Sequence, residues 1–122
     1  MIRKVALAAG FTAITEHWRP RVVGELNGQE VKLAKLHGEF IWHHHENEDE
    51  LFLVVRGRLR IEIRGQEAVE LAPGEFVIVP RGVEHRPVAA EEVELLLFEP
   101  AGTRNTGNVV DPALTAPDGV RI

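Results

Sequence analysis

Closely spaced turn signals divide most of this chain into short runs, and this spacing limits the fold more than any other feature. The runs between them are apolar or alternate between apolar and polar residues, as in Leu59, Ile61 and Ile63, where every second residue is apolar. Such alternation is typical of a half-buried strand. Runs this short are long enough for β-strands but too short for the helices of a helical bundle. The turn signals are Asn27-Gly28, Gly57, Gly65-Gln66, Pro73-Gly74 and Pro80-Arg81-Gly82.

The pattern predicts an all-β protein, an antiparallel sandwich or barrel. Residues 1–20 form an N-terminal arm or short helix, residues 21–100 the barrel, and residues 101–122 an irregular tail, within one domain. An Asn-Gly pair between two strand-like runs is typical of a type I′ hairpin. We expect about nine strands, over residues 21–26, 29–36, 39–45, 50–55, 58–64, 67–71, 76–79, 85–88 and 93–98.

Composition excludes several classes of function. The 14 basic and 19 acidic residues give a net charge of −5, which argues against a nucleic-acid-binding surface. No apolar run is long enough for a membrane helix, and the N-terminal apolar patch is too short for a secretion signal, so we expect a cytoplasmic protein. The sequence contains no Cys, Ser or Tyr, which excludes disulfides and the corresponding side-chain nucleophiles.

Histidines and one glutamate are placed to bind a metal ion. Strand alternation puts His43 and His45 on one face, and the turn after them returns Glu50 beside His45. His85 follows a Pro-x-Gly turn that can deliver it to the same place. Imidazole and carboxylate together suit Fe, Mn, Ni or Zn, so we expect one divalent metal ion per chain, of open identity. Three consecutive histidines on a solvated edge are the alternative. The predicted inward-facing residues are Ile41, His43, His45, Glu50, Phe52 and Val54.

Other residues leave more than one interpretation open. Arg81 and Arg86 flank the last histidine and bind either an anionic substrate or surface carboxylates. Trp42 and His44 lie on the opposite strand face, where we expect an apolar cover over Trp42. Trp18 either packs or lines a barrel mouth. Spare carboxylates are available on Glu46, Glu48 and Asp49, and His37 is expected in a solvated turn.

Two motifs resemble those of the cupin superfamily. The first is Gly38…His43-x-His45-x4-Glu50-x6-Gly57, and the second is Gly74-x5-Pro80-x-Gly82-x2-His85. The resemblance implies a jelly-roll barrel, or double-stranded β-helix, in which His43, His45, Glu50 and His85 bind a divalent metal. The second motif of the family normally ends in Asn, where this chain has Ala89.

The resemblance implies a metal-dependent oxygenase, isomerase or decarboxylase acting on a small organic molecule, with Glu50 as the candidate catalytic residue. The alternative is a cupin that binds a small ligand without catalysis. We also expect a homodimer, because the apolar N-terminal segment is longer than a single barrel needs. Its apolar residues are Val5, Leu7, Phe11, Ile14 and Trp18.

Overall fold

The computed structural model describes residues 2–122, and most of them lie in antiparallel strands, which confirms the predicted fold class. No helix within residues 2–122 has the length and apolar character needed to cross a membrane. The elements are α1 (Leu7–Thr12), β1 (Arg21–Leu26), β2 (Gln29–Glu39), β3 (Glu50–Arg56), β4 (Leu59–Ile63), β5 (Gln66–Leu71), β6 (Phe76–Val79) and β7 (His85–Pro100).

The long strand β7 organises the barrel. Its first half pairs with β4 and with the end of β2, while its second half lies between β2 and β3. The strand order is β1-β2-β7-β3-β6, and β4 also pairs with β5. Because one strand of 16 residues serves both halves of the structure, the sheet curls around a single interior. This is the jelly-roll arrangement that the motifs predict.

The first hairpin has the turn that its sequence predicts. Asn27 and Gly28 connect β1 to β2, and both have positive φ, at 52° and 79°. A type I′ turn requires this conformation at both central residues, and Asn and Gly are the residues that tolerate it best.

The interior is apolar at its centre, and a second apolar cluster lies outside the sheet. In that cluster Phe11 of α1 and Ile14 pack against Leu33, which is on the outer face of β2. The helix therefore covers part of the sheet that would otherwise be exposed. The central core comprises Ala34, Leu36, Phe52, Val54, Leu59, Ile61, Leu71, Val79, Ala89, Val93, Leu95 and Leu97.

Two differences reduce the nine predicted strands to the seven observed in the described part of the chain. Residues 85–100 form one strand rather than two, because the register shift between Leu36 and Gly38 sets residues 90–92 opposite His37 alone. This bulge accommodates the polar stretch that resembles a turn in the sequence. Residues 40–45 are not a regular strand, and only His43 forms an isolated bridge, to His85.

The irregular tail, residues 101–122, contains turns and packs against the barrel. Val22 of β1 donates a backbone hydrogen bond to the Val120 carbonyl at 2.7 Å. Thr103 and Thr106 are buried although they belong to no strand or helix. The tail thus contributes to the packed structure.

Candidate metal centre

Three different elements deliver the four predicted ligands to one place. His43 and His45 come from the segment between β2 and β3, Glu50 begins β3, and His85 begins β7. His43 and His85 exchange backbone hydrogen bonds of 3.0 and 2.9 Å, and the Gly82 amide donates to the His45 carbonyl. The structure therefore brings all four together, and all are buried.

The distances between the four side chains suit a shared ion. Each offers one donor atom, and these atoms all lie within 4.8 Å of one another. Glu50 Oε1 is 2.9 Å from His45 Nε2 and 3.6 Å from His85 Nε2. Two ligand atoms at right angles, each about 2.1 Å from one ion, are about 3.0 Å apart. The arrangement thus fits a divalent metal.

Backbone carbonyls orient two of the imidazoles. Nδ1 of His43 donates to the Ile41 carbonyl, and Nδ1 of His85 donates to the Val83 carbonyl, each at 2.9 Å. In a neutral ring this leaves the lone pair on Nε2, the atom available to a metal ion. The third imidazole, that of His45, has the Glu48 carboxylate 3.8 Å from its Nδ1.

The hydrogen-bonding needs of these side chains are not met by the protein. Within residues 2–122, six buried side-chain nitrogen and oxygen atoms lack a hydrogen-bond partner, and four of them belong to His45, Glu50 and His85. Such atoms are costly to bury unless they are satisfied. A bound cation would satisfy the lone pairs of Glu50 and the imidazoles together.

Electrostatics favour the protonation states that a metal ion requires. Burial, with a smaller contribution from His85, lowers the pKa of His43 from 6.5 to about 4. Burial acts to raise the pKa of Glu50, but contacts with Glu99, His45 and His85 hold it well below its usual range. A neutral imidazole and an ionised carboxylate are the forms that ligate metals.

A cavity of about 40 Å³ adjoins the site, and two of the four candidate ligands, His43 and Glu50, line it. Its polar lining consists of His43, Glu50, Glu99 and Asn105, so few groups can fix the orientation of a ligand. This volume accommodates a few non-hydrogen atoms. The remaining lining is apolar, from Trp18, Pro20, Ala34, Leu36, Phe40, Phe52, Pro87, Leu95 and Leu97.

A buried group of charged residues beside this cavity was not expected from the sequence. Lys32 Nζ donates to Glu99 Oε1 at 3.0 Å and lies 3.7 Å from Glu30 Oε1. Burial raises the pKa of Glu99 well above its usual range, and the neighbouring Glu50 adds to this effect. Glu99 is therefore the member of the Glu50–Glu99 pair that holds a proton. The sequence did contain one indication: Glu99 stands two positions after Leu97, so strand alternation places both side chains inside the barrel.

Two expectations about the faces of residues 40–45 are wrong. Ile41 does not line the cavity and Phe40 does, because alternation does not apply where the chain is not a strand. Trp42 is covered by cations rather than by an apolar group. The guanidinium carbons of Arg64 and Arg86 lie 4.2 and 5.3 Å from the centre of one Trp42 ring.

The two flanking arginines form ion pairs with carboxylates, exposed for Arg81 and partly buried for Arg86 with Glu62. Arg81 binds Asp49, and Arg86 binds Glu62 at 2.7 Å and Glu39 at 3.3 Å. Neither arginine lines the cavity beside the candidate ligands.

The remaining predicted side chains divide between the surface and the cavity. His44 Nε2 contacts Glu46, and His37 is exposed at the bulge of β2. Trp18 both packs, stacking on Phe40 with ring centres 4.6 Å apart, and lines the cavity.

Comparison with known proteins decides the family. The family model Cupin_2, described as "Cupin domain", matches residues 29–99. The chain is a cupin. The match includes all four candidate ligands and most of the barrel, and it excludes α1 and residues 101–122.

Solved cupin-like structures resemble this cupin over most of its length. A cupin-2 domain protein from Shewanella frigidimarina is 42% identical, with a TM-score of 0.76, and the match covers 79% of this chain and 93% of that one. Protein NMB1881 from Neisseria meningitidis is 28% identical, with a TM-score of 0.74 and coverage of 81% and 100%.

A curated relative is similar over a shorter region. The uncharacterized protein YdbB of Bacillus subtilis is 39% identical over 64 residues, which is 52% of this cupin. The match spans 57% of the length of YdbB. None of these three names states a reaction.

Proposed function

We propose that this cupin binds one divalent metal ion through His43, His45, Glu50 and His85, and that it acts on a small organic molecule in the adjoining cavity. The observation that carries the proposal is the set of four buried donor atoms within 4.8 Å of one another, most of them without a partner in the protein. A buried set of this kind has little reason to exist without a cation.

The chemistry would be that of a Lewis acid, because a bound metal polarises an oxygen of the substrate. The protein's own contribution is to bind and to exclude water. The apolar wall around Phe40, Phe52 and Leu97 favours a compact organic body. Glu50 keeps a negative charge at the site, and its substitution by Gln should reduce both metal affinity and turnover.

The reaction class proposed is oxygenation, isomerisation or decarboxylation, which the resemblance to cupins implies; the absence of Ser, Cys and Tyr closes only acyl transfer through those nucleophiles. The fold alone does not choose among these reactions, because one fold supports many activities. The cavity volume favours a substrate, or the reacting end of one, with only a few non-hydrogen atoms.

Metal content is the direct test. The purified protein, stripped with a chelator, is titrated with Fe²⁺, Mn²⁺, Ni²⁺ and Zn²⁺ by calorimetry, and its melting temperature is recorded. We expect one ion per chain and a higher melting temperature, because a ligand of the native state stabilises it. His85→Ala should weaken binding by at least tenfold. His37→Ala, which removes an exposed histidine, is the control.

Equal affinity in His85→Ala and the parent would contradict the ligand assignment. The metal-loaded forms are then assayed against diketones, hydroxy acids and sugar phosphates. Turnover that survives complete metal removal would reject the proposed chemistry. Tight binding of one of these compounds without turnover would favour the ligand-binding alternative.

A further inference from the structure

We propose that residues 101–122 form a clamp for the metal-ligand segment and that Asn108 is its positioning residue. This inference rests on the proposed metal binding, and it concerns residues outside the matched cupin region, 29–99. The clamp acts on His43 and His45 through the backbone of the residue between them.

The segment that carries these two histidines lacks the support that the other ligands have. Glu50 and His85 are strand residues, held by the ladders of β3 and β7. Residues 40–45 belong to no regular strand. Through its backbone, His43 pairs with His85 on one side, which leaves the amide and carbonyl of His44 without a strand neighbour.

Asn108 takes the place of that missing neighbour. The His44 amide donates to Asn108 Oδ1 at 2.9 Å, and the Asn108 amide donates to the His44 carbonyl at 2.9 Å. Two residues that exchange both hydrogen bonds reproduce the pairing of an antiparallel ladder. His44 is therefore fixed by the tail, between His43 and His45.

Gly107 allows this close approach. A Cβ atom added to it would lie 2.2 Å from the His44 carbonyl oxygen and 3.0 Å from Cδ2 of the His43 ring. Its φ of +57° is also one that side chains disfavour. The tail thus lies beside a candidate ligand, at a position that a larger residue could not occupy without displacing it.

The tail is itself held rigidly, as a clamp requires. Thr106 is fully buried and its hydroxyl bonds that of Thr115 at 2.7 Å. The Asn105 side chain donates to the Leu114 carbonyl at 2.9 Å and accepts from the Ala116 amide at 2.8 Å. Asn105 also lines the cavity, so the same segment borders both the ligands and the space beside them.

The test separates positioning from general stability. Zn²⁺ affinity is measured by chelator competition for the parent, Asn108→Ala, Asn108→Asp and Gly107→Ala, and the unfolding of each metal-free form is followed in urea. Asn108→Asp retains an acceptor for the His44 amide. Val110→Ala is the matched control, since Val110 is in the same segment and 69% exposed.

We expect Asn108→Ala and Gly107→Ala to bind Zn²⁺ about tenfold more weakly, as loss of an outer support does at metal sites. Asn108→Asp and Val110→Ala should stay within about twofold of the parent. Affinity in Asn108→Ala equal to that of the parent would overturn the proposal. An affinity loss in Asn108→Ala that is fully shared by Asn108→Asp would overturn it as well.

A second measurement needs no metal, and its decisive result comes from the parent protein. Hydrogen exchange of the metal-free protein should show the His44 amide protected, and in Asn108→Ala this protection should fall. An unprotected His44 amide in the parent would overturn the clamp even if a variant fails to fold. If the parent binds no metal but His44 is protected, the clamp on this segment stands and the proposed function fails.

Discussion

His43 has surroundings that keep its ring neutral well below neutral pH. Its pKa is lowered from 6.5 to about 4, chiefly by burial. The unfolded chain therefore binds more protons than the folded one between these two values, and stability must rise with pH across that window. The stability associated with the neutral His43 ring is fully present above pH 6.5 and is lost as the pH falls through about 4.

We predict that the metal-free protein loses up to about 3 kcal/mol of unfolding free energy between pH 7 and pH 4 through this residue. Urea unfolding at a series of pH values measures the loss. His43→Phe should flatten the curve above pH 5, whereas His37→Ala, an exposed site, should leave it unchanged. A parallel decline in parent and His43→Phe would show that other groups cause the loss.

Lys32 is the other residue whose charge has a predictable effect. Its ammonium lies in the interior against Glu99 and Glu30, and its own side chain is buried. Lys32→Met leaves these carboxyls without their cation, which should cost about 3 kcal/mol at pH 7.

The measurement is urea unfolding of Lys32→Met and of the parent at pH 7. Lys35→Met, on the same strand and only half-buried, serves as the control. A cost below 1 kcal/mol for Lys32→Met would mean that water reaches this group.

Among the elements, α1 is short but packs firmly. It has six residues and its N-cap, Ala6, makes no side-chain capping hydrogen bond, so it has little stability of its own. Phe11, with an exposed fraction of 1%, packs with Ile14 against β2. We predict that Phe11→Ala destabilises the protein by about 3 kcal/mol in urea unfolding.

Thr12→Ala is the matched control for this helix, because Thr12 is exposed and its hydroxyl bonds only the Ala8 carbonyl. A value for Phe11→Ala no larger than that for Thr12→Ala would show that the helix does not depend on this contact.

Sequence patterns predicted the elements where turn chemistry and alternation act locally. Asn27-Gly28 and the alternation of Leu59 with Ile61 are examples, since each signal lies within one hairpin. Residues 40–45 mislead because their apolar and histidine content resembles a strand, while their partners, His85 and Asn108, are distant in sequence. The four candidate ligands still meet at one place, since their order and spacing survive the loss of regular strand geometry.

Buried charge was harder to predict than the ligands. Glu30 and Lys32 share one face of β2 with the apolar Ala34 and Leu36. The opposite face carries Val31 and Leu33, so both faces contain apolar residues and the sequence does not mark either as the inner one. Only the pairing of β2 with β7 sets Glu30 opposite Glu99 inside the barrel. That pairing is a property of the fold, and the one signal within a strand is the alternation that places Glu99 on the same face as Leu97.

For the whole molecule, an uncovered apolar surface favours a homodimer, though on different residues from those the sequence suggested. Phe11 and Ile14 are buried against Leu33 of the same chain, so they are not available to a partner. On edge strand β6, Phe76 and Ile78 are 58% and 53% exposed, and they pair with Leu53 and Leu51 of β3. Such an exposed apolar edge is a site for association.

We predict that light scattering at micromolar concentration gives twice the chain mass of 13.6 kDa. Ile78→Glu should produce a monomer, because a charge on this face cannot be buried without a partner. Val110→Glu, at another exposed apolar residue, should remain dimeric. A parent mass of 13.6 kDa would contradict the prediction.

The contact between Asn108 and His44 also has a consequence for the order of events during synthesis. Residues 43, 45, 50 and 85 leave the ribosome before residue 108, and nascent chains begin to fold from the N-terminal side. His44 therefore remains without its two tail hydrogen bonds until residue 108 has emerged. The complete ligand geometry is available only to ions that meet the chain after that moment. Under the proposed function, the ion bound would then depend on the ions in the surroundings late in synthesis, because availability as well as affinity decides metal loading in cells.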